Sequence, residues 1–176
     1  MSIFNPNRDR DLSLEMKSQA ISLGLCKMWT DEWKDNTSKE ELVNKFIAGL
    51  DFCIEHNWPS VPDMKRLFGG VMQKQGVFAD ERATVKNAQM TVLNGTCDCS
   101  ATFDGCASGD IYVRHRSTLR LKAAGNARVF VTVLDDSSID VATDETAKVF
   151  VYRYDNGTVK KSFGNVVVRD KTRRKD

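Results

Sequence analysis

Ser117-Thr118-Leu119-Arg120-Leu121, Ala127-Arg128-Val129-Phe130-Val131, Ser137-Ser138-Ile139-Asp140-Val141, Ala147-Lys148-Val149-Phe150-Val151 and Gly157-Thr158-Val159-Lys160-Lys161 are five copies of one pattern, each ten residues after the last. In every copy a small residue is followed two positions later by an aliphatic one, and two positions after that by Leu121, Val131, Val141, Val151 or, in the last copy, Lys161. Between the copies lie turn formers: Gly125-Asn126, Asp135-Asp136, Asp144-Glu145, Asp155-Asn156 and Gly164-Asn165. Apolar residues at a period of two mark strands. Gly, Asn and Asp tolerate the left-handed backbone of tight corners, and the small residue marks a place where a large side chain does not fit. A decamer is too short to bury its own apolar face, so the copies must stack on one another, which predicts a β-solenoid. Ten residues per side allow a flat coil of about twenty residues or a triangular one of about thirty. The two-sided coil is preferred, with Leu119, Ile139 and Val159 on one wall and Val129 and Val149 on the other.

The same register assigns the outer surfaces. One wall carries Arg120, Lys122, Asp140, Ala142, Lys160 and Ser162, which read as a solvated face. The other carries Phe130, Thr132, Phe150 and Tyr152, with Phe130 and Phe150 stacked one coil apart, and such aromatic patches mark contact surfaces. Ile111-Tyr112-Val113 fits one unit earlier, and the first rungs are expected near Ala83. Lys161 and Gly164 are read as the end of the stack, where Lys171 to Asp176 protects the open strand edge.

The N-terminal part has helical periodicity instead. Asp11 is read as the cap of a helix carrying Leu14, Ala20, Ile21 and Leu23, stopped by Gly24. Leu25, Met28, Trp29 and Trp33 suggest a second, short helix. Thr37 with Glu40 is read as a capping box opening a helix from Ser38 to about His56, with an apolar stripe through Leu42, Val43, Phe46, Ile47, Leu50, Cys53 and Ile54. Ser60 caps a further helix that runs to Phe68 and stops at Gly69-Gly70, and residues 71–82 are a connector. The expected fold class is α+β: a small helical domain over 1–80, a short β-solenoid over 81–170 and a basic tail over 171–176.

Composition bounds the function. The chain has 176 residues, 41% hydrophobic and 28% charged, as expected of a globular protein. Its 26 Lys and Arg against 24 Asp and Glu leave a net charge of +2, too balanced for a chain dominated by nucleic-acid or membrane-surface binding. No apolar run approaches the roughly 18 residues of a membrane span, and Met1 to Asp11 lack the apolar core of a signal peptide, so the expected location is the cytoplasm. Five cysteines without such a signal read as reduced thiols. Cys97, Cys99 and Cys106, with His115, invite a metal reading, but the spacing is poor for zinc, and Cys97 and Cys99 are expected to point to opposite faces of a strand.

No phosphate-binding glycine loop, H-E-x-x-H or G-x-S-x-G occurs, and the decamer excludes the six-residue repeat of acyltransferase β-helices. No catalytic, cofactor or metal residue is assigned. Arg114-His115-Arg116, with Arg120 and Lys122, forms a basic strip, and Arg169 to Lys175, including Arg173 and Arg174, a second run. The candidate partner-binding residues are therefore Phe130, Phe150, Tyr152, Arg114, Arg116, Arg173 and Arg174. Protein partners or further copies of the chain are expected, with nucleic acid as the alternative drawn from the basic runs and from Lys65-Arg66-Leu67-Phe68, and with no membrane partner.

Gly125-Asn126-Ala127-Arg128-Val129-Phe130-Val131 and Glu145-Thr146-Ala147-Lys148-Val149-Phe150-Val151 resemble the D/N-A/S-x-V-x-V rungs of repetitive β-helix proteins found in bacterial and phage genomes, those of gut Bacteroidales included. The resemblance spans about residues 109–168. The helical part, with Gly49-Leu50-Asp51-Phe52-Cys53 and Asn57-Trp58-Pro59-Ser60, is similar in style to small proteins of the same bacteria and phages. The resemblance implies a structural or adhesive module rather than an enzyme, and the expected function is a scaffold or docking module in a larger assembly, a phage virion or a phage-encoded accessory component. The alternative function, drawn from the helical half and the basic strip, is a nucleic-acid-associated or host-directed regulator, including an inhibitor of a host defence system.

Overall fold

The computed structural model describes residues 6–171, and side chains over residues 10–171. The chain forms an α+β protein of two compact units, Met1–Gln75 and Gly76–Asp176. The first strand, β1, begins at Val77, inside the stretch expected to be helical or a connector.

The first unit is helical: α1 (Pro6–Ser22), α2 (Lys27–Glu32), α3 (Lys39–Ala48), α4 (Leu50–Glu55), α5 (Val61–Phe68) and α6 (Val71–Lys74). Several sequence expectations shift here. α1 starts at Pro6, so Asp11 lies within the helix and does not cap it. The buried residues of α1 are Leu12, Ser13, Met16 and Ala20, while Leu14 and Ile21 face solvent. Gly24 does end the turn, at φ 95°, and the Leu25 N–H returns to the Ala20 carbonyl at 3.0 Å. The capping box is one residue later than read: the Ser38 hydroxyl accepts from the Glu41 N–H at 3.2 Å, and the Glu41 carboxylate accepts from the Ser38 N–H at 3.0 Å. The long helix expected from Ser38 breaks at Gly49 into α3 and α4. Ser60 caps α5 as read, and Met64, Leu67 and Phe68 are its buried face. Side chains of α1 staple the unit: Ser13 Oγ accepts from the Trp33 indole N–H at 3.1 Å, Gln19 Oε1 from the Trp58 indole N–H at 2.9 Å, and Glu15 receives two bonds from Arg66, at 2.6 and 3.0 Å.

The second unit is a two-sided parallel β-solenoid. Its strands are β1 (Val77–Ala79), β2 (Arg82–Lys86), β3 (Met90–Asn94), β4 (Asp98–Phe103), β5 (Ser108–Val113), β6 (Thr118–Ala123), β7 (Arg128–Val133), β8 (Ser138–Thr143), β9 (Lys148–Arg153), β10 (Thr158–Phe163) and β11 (Val166–Asp170). Odd strands form one sheet, ordered β1-β3-β5-β7-β9-β11, and even strands the other, ordered β10-β8-β6-β4-β2. Leu119 pairs with Ile139, Val159 with Ile139, and Val129 with Val149, which are the two walls read from the sequence. Each decamer is a six-residue strand plus a four-residue corner such as Arg114–Ser117 or Ala124–Ala127. The first coil is shorter: Val77 pairs with Val92 and Arg82 with Asp98, fifteen and sixteen residues apart, which is why the repeat fades toward Ala83.

Inward residues of both sheets form one dry core, with Leu119, Leu121, Val129, Val131, Ile139, Val141, Val149 and Val151 each at most 3% exposed. One corner series places His115, Asp135 and Asp155 at φ between 54° and 59°, each a coil apart. Their side chains cap the rung before: His115 Nδ1 accepts from the Gly95 N–H at 2.9 Å and an Asp135 carboxylate oxygen from the His115 N–H at 2.8 Å. Local hydrogen bonding thus offsets the cost of a left-handed non-glycine residue. At the last coil, β10 shifts register between Val159 and Lys161. Lys161 therefore pairs with Asp140 on the outside, Ser162 takes the place opposite Val141, and Phe163 turns outward at 75% exposure. Ser162 stays exposed despite that register, because β10 ends its sheet and no further rung covers it. The bulge and its two lysines are devices that discourage strand addition at a sheet edge.

Candidate interaction face

The outer surface of the odd-numbered sheet is set by the pairing of β5, β7, β9 and β11. Asp110, Phe130, Phe150 and Val167 form one outward column, Tyr112, Thr132, Tyr152 and Arg169 the next, and Ser108, Arg128 and Lys148 a third. Phe130 and Phe150 stack with ring centroids 5.2 Å apart and planes 9° from parallel. A twenty-residue repeat in a parallel sheet brings identical side chains into register, so their rings can overlap face to face. Both rings are half-buried, as are Tyr112 and Tyr152. The Lys148 ammonium lies 5.2 Å from the Phe150 ring and that of Lys171 5.8 Å from the Tyr152 ring, within cation–π reach. Desolvation raises the Asp110 carboxyl above its ordinary range. Arg128 is turned onto backbone, donating to the Ala127 carbonyl at 3.0 Å and the Thr146 carbonyl at 3.2 Å. The result is an aromatic ridge edged by cations.

The structure brings Phe130, Phe150 and Tyr152 onto one face but does not assemble the basic strip. Arg114 is 2% exposed, and its guanidinium donates to Asn94 Oδ1 at 3.0 Å in a buried corner. It is removed from the candidate contact residues, because a guanidinium held inside the fold by an amide cannot meet a partner. Arg116 is exposed at the same corner. Arg120 points from the other sheet and pairs with Asp98 at 2.8 Å. Arg66 is held by Glu15 and Asp63. Arg173 and Arg174 lie outside the described residues. Tyr112 was missed by the sequence reading, although it stands twenty residues before Thr132 and forty before Tyr152, a spacing that signals the shared column.

Cys97 and Cys99 do not split across the strand. Positions two apart share a face, and both thiols are in the core at no more than 1% exposure. Burial raises both, Cys99 to about 12. Cys97 Sγ donates to the Asn94 carbonyl at 3.2 Å, the corner role that Ser137 Oγ fills toward Leu134. Cys106 is exposed, and among the described residues no cluster of His, Cys, Asp or Glu could hold a metal ion. No helix among them is long and apolar enough to cross a membrane. Compared with family models, with curated proteins and with solved structures, the chain shows no match.

Proposed function

We propose that this chain is a non-enzymatic docking and scaffold module whose solenoid engages neighbouring protein subunits through the aromatic ridge. A stacked coil supplies a stiff rod, and stiffness is what a scaffold needs, because side chains in register on a rigid sheet lose little entropy on contact. The observation that carries the reading is the parallel stack of Phe130 on Phe150 beside Tyr152, half-exposed and edged by Lys148 and Lys171. Aromatic residues are enriched at the core of protein interfaces, and charged lysines suit the polar rim around it. The rung resemblance supports the setting of a phage virion or a phage-encoded accessory component. Dispersal of the basic strip leaves no observation that favours nucleic acid over protein as the partner.

The test is size-exclusion chromatography with light scattering on the full chain and on the doubly changed Phe130→Ser/Phe150→Ser chain. A self-associated species that reverts to a folded monomer with both changes supports the proposal. A multimer that survives them, or a monomer that unfolds with them, refutes it.

A further inference from the structure

All three tryptophans of the chain, Trp29, Trp33 and Trp58, line one cleft of about 350 Å³ within the helical unit. Its floor is apolar and closed: Met16, Ala20, Leu42 and Phe46 are each at most 3% exposed. Phe52 and Trp29 are half-buried at its edge, and Cys26 is exposed there. Ligand sites of folded proteins run from roughly 300 to 1,000 Å³ and combine an apolar lining with a few polar groups. The cleft stands at the small end of that range, which suits a small molecule.

The polar groups decide the class. The indole N–H groups of Trp33 and Trp58 are satisfied by Ser13 and Gln19, which pins these rings with their faces as walls. The Trp29 N–H has no hydrogen-bond partner among the described residues. The Lys45 ammonium lies 5.6 Å from the Trp33 ring and has no carboxylate within ion-pair distance among the described residues. A cationic ligand would compete with Lys45 for the same ring, whereas an anion gains a charge partner. The other charged lining residue, Asp51, is exposed and better screened. We propose that the cleft binds a small molecule with an apolar, ring-sized body and one anionic group, the body held among the tryptophans and the anion paired with Lys45.

The test uses two fluorescent probes that share an apolar body and differ by one charge: 1-anilinonaphthalene-8-sulfonate and the uncharged N-phenyl-1-naphthylamine. Each is titrated into the full chain while tryptophan emission is followed. The sulfonate should bind at one site, quench the tryptophans and bind about tenfold more tightly than the neutral probe, the gain expected of a hydrogen bond to a charged group. Lys45→Met should remove that tenfold difference and leave the neutral probe's affinity unchanged, and Asp51→Asn should slightly strengthen the sulfonate. Equal binding of the two probes to the unchanged chain overturns the proposal, whether or not the variants fold. So does sulfonate binding without tryptophan quenching, or a Lys45→Met chain that weakens both probes alike.

Discussion

Val129, Val149 and Val166 stand in one inward column at increasing distance along the stack, so one substitution at three depths measures how far the dry core extends. Val129 and Val149 are fully buried with a paired strand on each side, whereas Val166 is half-buried on the terminal strand β11. Val→Ala deletes two methyl groups, worth about 1.6 kcal/mol in transfer. Between paired rungs the hole cannot close, and roughly 40 Å³ of empty space adds about 1 kcal/mol. Val129→Ala and Val149→Ala should therefore each cost about 2.5 kcal/mol. At Val166 about half the transfer is lost and solvent fills the gap, for about 0.8 kcal/mol. Urea unfolding followed by circular dichroism of the strands measures all three. Equal costs at Val149 and Val166, or costs below about 0.5 kcal/mol at both inner sites, would refute a continuous column.

Other perturbations test the corners, the thiols and the helical unit. Gly157→Ala places a methyl 2.6 Å from the Val133 carbonyl oxygen, and should destabilise by about 1–3 kcal/mol in the same assay. With the chain folded at mild pH, a thiol reagent should modify Cys26 and Cys106 and spare Cys53, Cys97 and Cys99, all five reacting once it is denatured. Hydrogen bonds from Arg66 hold Glu15 and Asp63 below their ordinary values of 4.5 and 3.8. A carboxylate depressed in the fold stabilises it above the unfolded value, and that support is lost as pH falls through the lower, folded one. The helical unit, followed through its three tryptophans, should weaken below about pH 4, and Arg66→Met should flatten that loss by a small, salt-sensitive amount because the groups are exposed.

The decamer was legible because alternation is a property of one strand's backbone: residues two apart share a face whatever lies beyond them. Leu119, Val129, Ile139, Val149 and Val159 therefore announced both walls, and of the acidic corners those at Asp135 and Asp155 hold a left-handed residue while that at Asp144-Glu145 does not. The outward ridge of Phe130 and Phe150 followed from the same period. Other features depend on partners distant in sequence. Arg114 looks like a surface cation until Asn94, twenty residues earlier, offers it a buried oxygen. The capping box belongs to Ser38 rather than Thr37 because Glu41, not Glu40, reaches back to the cap, and a sequence holding both hydroxyls and both carboxylates cannot choose between them. The shift after Val159 sets Ser162 opposite Val141 and leaves Phe163 exposed, which the end of the stack permits because no further rung enforces the register. The tryptophan cleft exists only because α1, α2, α3 and α4 pack together and gather rings from positions 29, 33 and 58. Periodicity within a strand is local and survives in the sequence, while burial, charge pairing and concavity are made by elements meeting in space.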